Sequence, residues 1–121
     1  MNVFVWCGVA FLGGIGAVAR VLVATSVSVR RPSSFPLGTF VVNISGAFLL
    51  GLLAGIGASG DAYRLAGLAL LGSYTTFSAW MLEAQQLNAG GKGRVVLAYL
   101  VLSVAVGLVA VTLGRALGTH L

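Results

Sequence analysis

Between Leu71 and Glu83 the sequence reads LGSYTTFSAWMLE, which sets a glycine, two serines, two threonines, a tyrosine, a phenylalanine and a tryptophan inside an otherwise apolar stretch. Polar groups at hydrocarbon depth are costly unless they face protein, water or a ligand. Gly72, Ser73, Thr75 and Thr76 together weaken a helix and favour a local unwinding, where freed carbonyls can coordinate a cation. Phe77 and Trp80, three residues apart, project from one face of the helix once it resumes. Ring edges are electron-poor, so a small dehydrated anion meets them where a cation would prefer the ring face. Core packing is the plainer reading of such a pair, and other polar groups at the same depth are needed to favour the anion.

Asn43 is one such group. In FPLGTFVVNISGAFLL its amide sits among apolar neighbours and needs hydrogen-bond partners, either as glue between helices or as lining of a polar path. Tyr99 and Ser103, four residues apart, share a helix face and could extend such a path, although a serine in a membrane helix is usually a packing residue. Arg20 is the arginine deep inside an apolar run, and Glu83 the acidic residue near one. A charge at bilayer depth costs on the order of 3 kcal/mol. Three arrangements relieve that cost: the two pair, they line a water-filled mouth, or Arg20 snorkels to the interface.

Several chemistries are absent. There is no Ser/His/Asp set, carboxylate pair, phosphate-binding loop or metal-ligating cluster, and the one histidine is His120, so the chain does not read as an enzyme. Cys7, the single cysteine, cannot form an intramolecular disulfide and reads as an inert core thiol.

The elements that must position these residues follow from composition. Of 121 residues 59% are hydrophobic and 7% charged, with a mean hydropathy of +1.06, whereas soluble domains carry about 25% charged residues. The chain is therefore expected to be an all-α integral membrane protein in the plasma membrane, a single four-helix transmembrane domain over 1–121. Its spans run from about 3–29, 37–56, 64–87 and 95–117, each near the roughly 20 residues a bilayer requires. The amino terminus lacks the basic region of a signal peptide and reads as a retained first span. Arg30, Arg31 and Pro32 close that span, and the Gly-rich NAGGKG closes the third. The net charge of +5 comes from basic residues at span ends, where headgroup anchoring explains them and nucleic acid is not expected as a partner. Arg30, Arg31, Lys92 and Arg94 against Arg64 and Arg115 put the first and third loops in the cytoplasm by a margin of about two charges, narrow enough for dual insertion. Small-xxx-small pairs at Gly51 and Gly55, Ser103 and Gly107, and Gly114 and Gly118 predict close helix packing. Four short helices leave little interior for a polar path, which points to an oligomer.

Three stretches together resemble the CrcB/Fluc family of bacterial fluoride channels: GGIGAVAR (Gly13 to Arg20), FPLGTFVVNISGAFLLGLL (Phe35 to Leu53) and GSYTTFSAWMLE (Gly72 to Glu83). They lie on successive spans in the right order. The resemblance implies a dual-topology dimer, two copies in opposite orientations, with a break in the third helix, two fluoride pathways and a structural Na+ at the centre. It implies no organic cofactor. The matching positions would give sodium to the backbone carbonyls of Gly72 and Thr75. Asn43, Phe77, Trp80, Ser78, Thr39, Tyr99 and Ser103 would fall on the fluoride pathway, and Arg20 and Glu83 would be charges of its aqueous vestibule. Three positions depart from the family pattern: Trp80 stands where a second phenylalanine is expected, Ala79 where a hydroxyl often precedes it, and Gly107 where a serine usually continues the track of the fourth helix. Since some members pair as two different subunits, a heterodimer with a paralogous subunit stands behind the antiparallel homodimer.

The competing classes are a small multidrug exporter and a noncatalytic assembly subunit of a larger membrane complex. The exporter needs a carboxylate deep in the first span, which here has no Asp or Glu. The assembly subunit would explain the glycines but not Asn43, a hydroxylated break and paired aromatics together.

Overall fold

The computed structural model describes residues 2–33 and 35–121 and is entirely helical among them. Four helices are long and apolar enough to cross a membrane: Val3–Arg30, Leu37–Gly55, Gly60–Ala89 and Gly93–Thr119. We name them α1 for Val3–Arg30 and α2 for Leu37–Gly55, while the third span comprises α3 (Gly60–Ala62), a π-helical stretch over Tyr63–Leu71, α4 (Gly72–Tyr74) and α5 (Ser78–Ala89); α6 is Gly93–Thr119.

The termini of these helices are written into the sequence. Asn2 caps α1 by accepting from the amide of Val5 at 2.9 Å, and Pro32 follows the end of the helix. The helices before the second and third turns close on glycines with φ of +78° at Gly57 and +77° at Gly91, values that only glycine adopts without strain. At each, the next amide reaches back five residues, Ala58 to Leu53 and Lys92 to Leu87, both at 3.0 Å, so two terminal carbonyls are satisfied. The third span starts four residues before the expected Arg64, because Gly60 and Asp61 add a turn in which Asp61 holds Arg64 at 2.9 Å.

Glycines set the packing. Gly51 and Gly55 of α2 lie against the backbone of Val111 and Arg115, and Gly114 and Gly118 of α6 against that of Phe48 and Leu52, leaving no room for a Cβ at any of the four. Such contact supplies the dispersion that substitutes for the missing hydrophobic force between helices in lipid. Ser103 and Gly107 do not share in it. A Cβ on Gly107 would meet only Ile44 Cδ1 at 3.7 Å, an ordinary contact, and Ser103 is engaged by a side chain of the third span.

The third span changes neighbours along its length. Its first half packs on α1, where Gly16 lies against Leu70 and Ser73, and its second half, α5, packs on α6. Val42 and Tyr99 are the largest side chains fully withdrawn from the surface, whereas Phe4, Trp6, Phe11 and Leu22 stay exposed. Cys7 is exposed on α1 with them and is not a core thiol. A helix face that looks onto lipid tails or a partner subunit has no reason to reserve a small thiol for the interior.

Candidate functional site

The turn where the third span changes neighbours is held by a side chain from α2. Asn43 Nδ2 donates to the Thr76 carbonyl at 3.0 Å, and the Thr76 amide donates to Asn43 Oδ1 at 2.9 Å. Thr75 is extended, with φ −77° and ψ 158°. Thr76 then caps the resumed helix, its hydroxyl accepting from the Ala79 amide at 3.2 Å, the geometry of an N-cap residue and its third successor. A consequence follows for the carbonyls. In an uninterrupted helix Gly72 would accept from Thr76, and Thr75 from Ala79. Both amides are turned to side-chain acceptors instead, so the Gly72 and Thr75 carbonyls lose their helical donors. Gly72 is exposed and Thr75 half-buried. Two freed carbonyls beside a break form a hard oxygen donor set that fits an alkali cation and offers nothing to a soft metal. Among the described residues no group of His, Cys, Asp and Glu could hold a metal.

Two cavities adjoin this turn, and a third lies beyond them. A groove of about 310 Å³ is lined by Asn43, Thr75, Thr76, Phe77, Trp80 and Ser103. Phe77 is 70% exposed at its edge, and its ring meets that of Trp80 at 5.6 Å in an edge-to-face arrangement. The Trp80 indole N–H donates to Ser103 Oγ at 3.1 Å. Behind Thr76 lies a smaller cavity of about 180 Å³ lined by Arg20, Thr25, Thr39, Thr76 and Glu83. Beyond Thr39 and Glu83 a vestibule of about 550 Å³ opens between the first and third turns, past Ser33, Gln86 and Lys92. Thr76 thus stands in the wall common to groove and inner cavity, and Thr39 with Glu83 in the wall common to inner cavity and vestibule.

The charges at that second wall are held separately. Glu83 accepts from Thr39 Oγ1 at 2.7 Å and from the hydroxyl of the fully buried Tyr99 at 3.4 Å. Arg20 faces the same cavity, makes no ion pair with Glu83, and has a buried Nε without a hydrogen-bond partner. Of the three arrangements open from sequence, direct pairing is not the one found, and Arg20 and Glu83 instead line one cavity. Phe35 stacks edge-on against Tyr99 at 5.3 Å and closes the site on the α1–α2 side.

The structure brings Asn43, Phe77, Trp80 and Ser103 into one groove and gathers Arg20, Thr39 and Glu83 at the next cavity. Tyr99 reaches the latter through Glu83, and on the side shared with Ser103 its ring lies 6.3 Å from that of Trp80, which bonds Ser103. Ser78 stays exposed outside all three cavities, its hydroxyl 3.5 Å from that of Thr76. Thr76 itself was not among the site residues expected from sequence. The signal was present in a threonine placed three residues before Ala79 at a suspected break, the spacing of a helix cap. Ser45 and Tyr74, whose hydroxyls lie 3.0 Å apart and join α2 to α4, carried no comparable signal.

Comparison with known proteins bears on this arrangement. The family model described as CrcB-like protein, Camphor Resistance (CrcB), matches residues 7–115. The chain belongs to the CrcB family. Among similar CrcB relatives is Fluoride-specific ion channel FluC 2 of Mycolicibacterium paratuberculosis, 50% identical over 96% of this chain and 95% of its own length. Symbiobacterium thermophilum has two: FluC 2, 41% identical over 91% of this chain and 94% of its own, and FluC 1, 39% identical over 93% and 96%. With its four apolar helices this CrcB chain is a multi-pass membrane protein.

The CrcB chain's carboxylate offers a direct check on the inner cavity. Thr39→Val keeps the shape of the side chain while removing the 2.7 Å donor to Glu83, and is expected to lower stability by about 1 kcal/mol. The melting midpoint of detergent-solubilised protein should fall, while Gln86→Ala at the open vestibule, where the side chain is exposed, leaves it in place.

Proposed function

We propose that this chain is a fluoride-selective channel subunit that assembles with a second copy in the opposite orientation and lets cytoplasmic fluoride leave down its electrochemical gradient. The observation that carries the reading is the turn at Thr75–Phe77. Asn43 holds the break in the helix there, and Phe77 lines a groove that also holds an amide and a hydroxyl. The names of the CrcB relatives support the choice of fluoride over other small anions.

Fluoride is small and strongly hydrated, so a pathway must replace water with several fixed donors at once. The second Asn43 amide hydrogen, the Ser103 hydroxyl and the ring edges of Phe77 and Trp80 are the donors this chain supplies. Lys92 and Arg20 lie along the approach and raise the local anion concentration. The groove of one copy is open along one side, and a second copy laid against it supplies the missing wall and repeats the pathway by symmetry. Gly72 and Thr75, with their symmetry mates, are the residues that would hold a structural sodium ion. Bound there, sodium supplies a fixed positive charge and ties the two breaks together. The driving force needs no ATP site: an inside-negative potential is worth about 2.3 kcal/mol per charge per 100 mV.

The test is fluoride efflux from liposomes containing this chain alone. Efflux selective over chloride supports a homomeric channel, and absence of efflux from well-folded protein overturns it. Because one relative's organism holds both FluC 1 and FluC 2, a silent chain should next be reconstituted with a paralogous subunit, where efflux would reassign it as half of a heteromer. Phe77→Ile is expected to abolish efflux with the oligomeric state unchanged, since the ring is mostly exposed and little packing depends on it. Near-normal efflux would assign the ring to packing alone.

A further inference from the structure

Ser103, like Thr39, is a helix hydroxyl engaged by another helix rather than bonded back along its own. A serine or threonine inside a helix normally returns its proton to a carbonyl three or four residues back. Ser45 does so to Val42 at 3.0 Å, Ser73 to Ala69 at 2.7 Å, Thr75 to Leu71 at 3.1 Å, Thr112 to Leu108 at 2.8 Å and Thr119 to Ala116 at 2.7 Å. Among the described residues Ser103 makes no such bond to Tyr99 or Leu100. Its one hydrogen bond is the one it accepts from the Trp80 indole at 3.1 Å. An indole N–H can only donate, and a hydroxyl has one proton and two lone pairs, so this bond occupies a lone pair and leaves the proton uncommitted. Both residues line the groove that also holds Asn43 and Phe77.

We propose that Trp80 is a positioning residue, acting through Ser103: its indole N–H holds the serine oxygen in a rotamer that cannot bond back to its own helix, so that the serine proton is offered to a small anion in the groove. The proposal rests on the fluoride reading above and deepens it. A phenylalanine at this position would present a ring edge but no N–H, and Ser103 would be free to turn back to the Tyr99 or Leu100 carbonyl. Accepting the indole proton also polarises the hydroxyl and makes it a stronger donor. Trp80 thereby contributes twice, as a ring against Phe77 and as an anchor for the hydroxyl across the groove.

Two readouts test this on the full-length chain in liposomes. Trp80→Phe and Ser103→Ala are each expected to lower fluoride efflux about tenfold, the loss of one well-placed hydrogen bond, and the double variant should be no worse than either alone. Trp80→Phe within about twofold of the parent, or losses that multiply to roughly a hundredfold in the double variant, would overturn the proposal. The second readout does not require conduction. Trp6→Phe, on an exposed face of α1, removes the other of the two tryptophans. In that background the Raman band sensitive to indole N–H bonding should shift as sodium fluoride is titrated in, and Ser103→Ala should both weaken the bond signature and remove the shift. If the parent chain shows no efflux, the homomeric channel reading fails, and the Raman titration still decides the pair. A fluoride-dependent shift lost in Ser103→Ala supports it, and a band indifferent to fluoride or to the serine overturns it.

Discussion

Asn43→Ala is expected to abolish fluoride efflux and to erase any stabilisation of the protein by sodium. Among the described residues the Asn43 amide is the only partner that the Thr76 N–H and C=O have across the break. Alanine leaves both unpaired in a half-buried turn, and an unpaired buried backbone group costs about 1–3 kcal/mol. Interhelical hydrogen bonds in membranes average nearer 0.6 kcal/mol, because the displaced groups usually find other partners. Here the available partner is harmful. The Thr76 amide can return to the Gly72 carbonyl by closing the helix, which relieves the penalty but withdraws that carbonyl from a cation and turns Phe77 out of the groove. Both routes end the function, one through instability and the other through repair of the break. They differ in the melting midpoint, which falls in the first case and stays near the parent value in the second. In either case the midpoint should lose the rise with sodium concentration expected of the parent, since a ligand stabilises only the state that binds it. Asn43→Asp separates the two bonds: a carboxylate still accepts from the Thr76 amide but cannot donate to its carbonyl. It should keep the Gly72 carbonyl free while losing the donor to the anion. Efflux at the parent level in Asn43→Ala would show that the break stands without its clamp.

How far the site could be read from sequence depends on the kind of interaction that builds it. The four spans, the proline and glycine stops and the weakening of the helix around Thr75 are local properties, carried by hydropathy and backbone preference. Asn43 stood out for the same reason, as an amide in hydrocarbon. Its partner was not legible, because the pairing joins residues 33 apart through backbone atoms of Thr76, and backbone atoms leave no mark on residue type. The same limit hid the Glu83 arrangement. Sequence shows a carboxylate and an arginine at similar depth, but whether they meet depends on the rotation of α1 against α5, and in the structure two hydroxyls reach Glu83 while Arg20 does not. Cys7 was misplaced because one copy of a thin bundle buries few side chains, so that an apolar neighbourhood in sequence says nothing about the interior. The π-helical stretch over Tyr63–Leu71 carried no signal either. Its widened turn includes Gly67, whose missing side chain faces the Tyr63 ring.

The glycines of α6 yield the sharpest contrast for experiment, since the same substitution is expected to have opposite signs at two positions seven residues apart. Glycine to alanine in a helix interior gains about 1 kcal/mol of propensity where space allows. At Gly107 space allows it, with Ile44 Cδ1 at 3.7 Å from the new carbon. Gly107→Ala should therefore raise the melting midpoint slightly and leave efflux intact. At Gly114 the new carbon would lie on the Phe48 carbonyl, and backbone cannot move aside as a side-chain tip can. Overpacking against yielding side chains costs about 1–3 kcal/mol, so Gly114→Ala should cost at least the upper end of that range. The helices must separate to admit the methyl group, and lipid supplies no hydrophobic force to hold them at the wider spacing. The damage would not stay at the crossing. α2 carries Thr39 and Asn43, while α6 carries Tyr99 and Ser103, so moving them apart stretches the Tyr99–Glu83–Thr39 chain and the distance from the Asn43 clamp to Ser103 together. Gly114→Ala is thus expected to lower both the melting midpoint and the efflux of whatever folded protein remains, with Gly107→Ala as its internal control. Equal behaviour of the two variants would mean that the α2–α6 contact does not set the geometry of the groove.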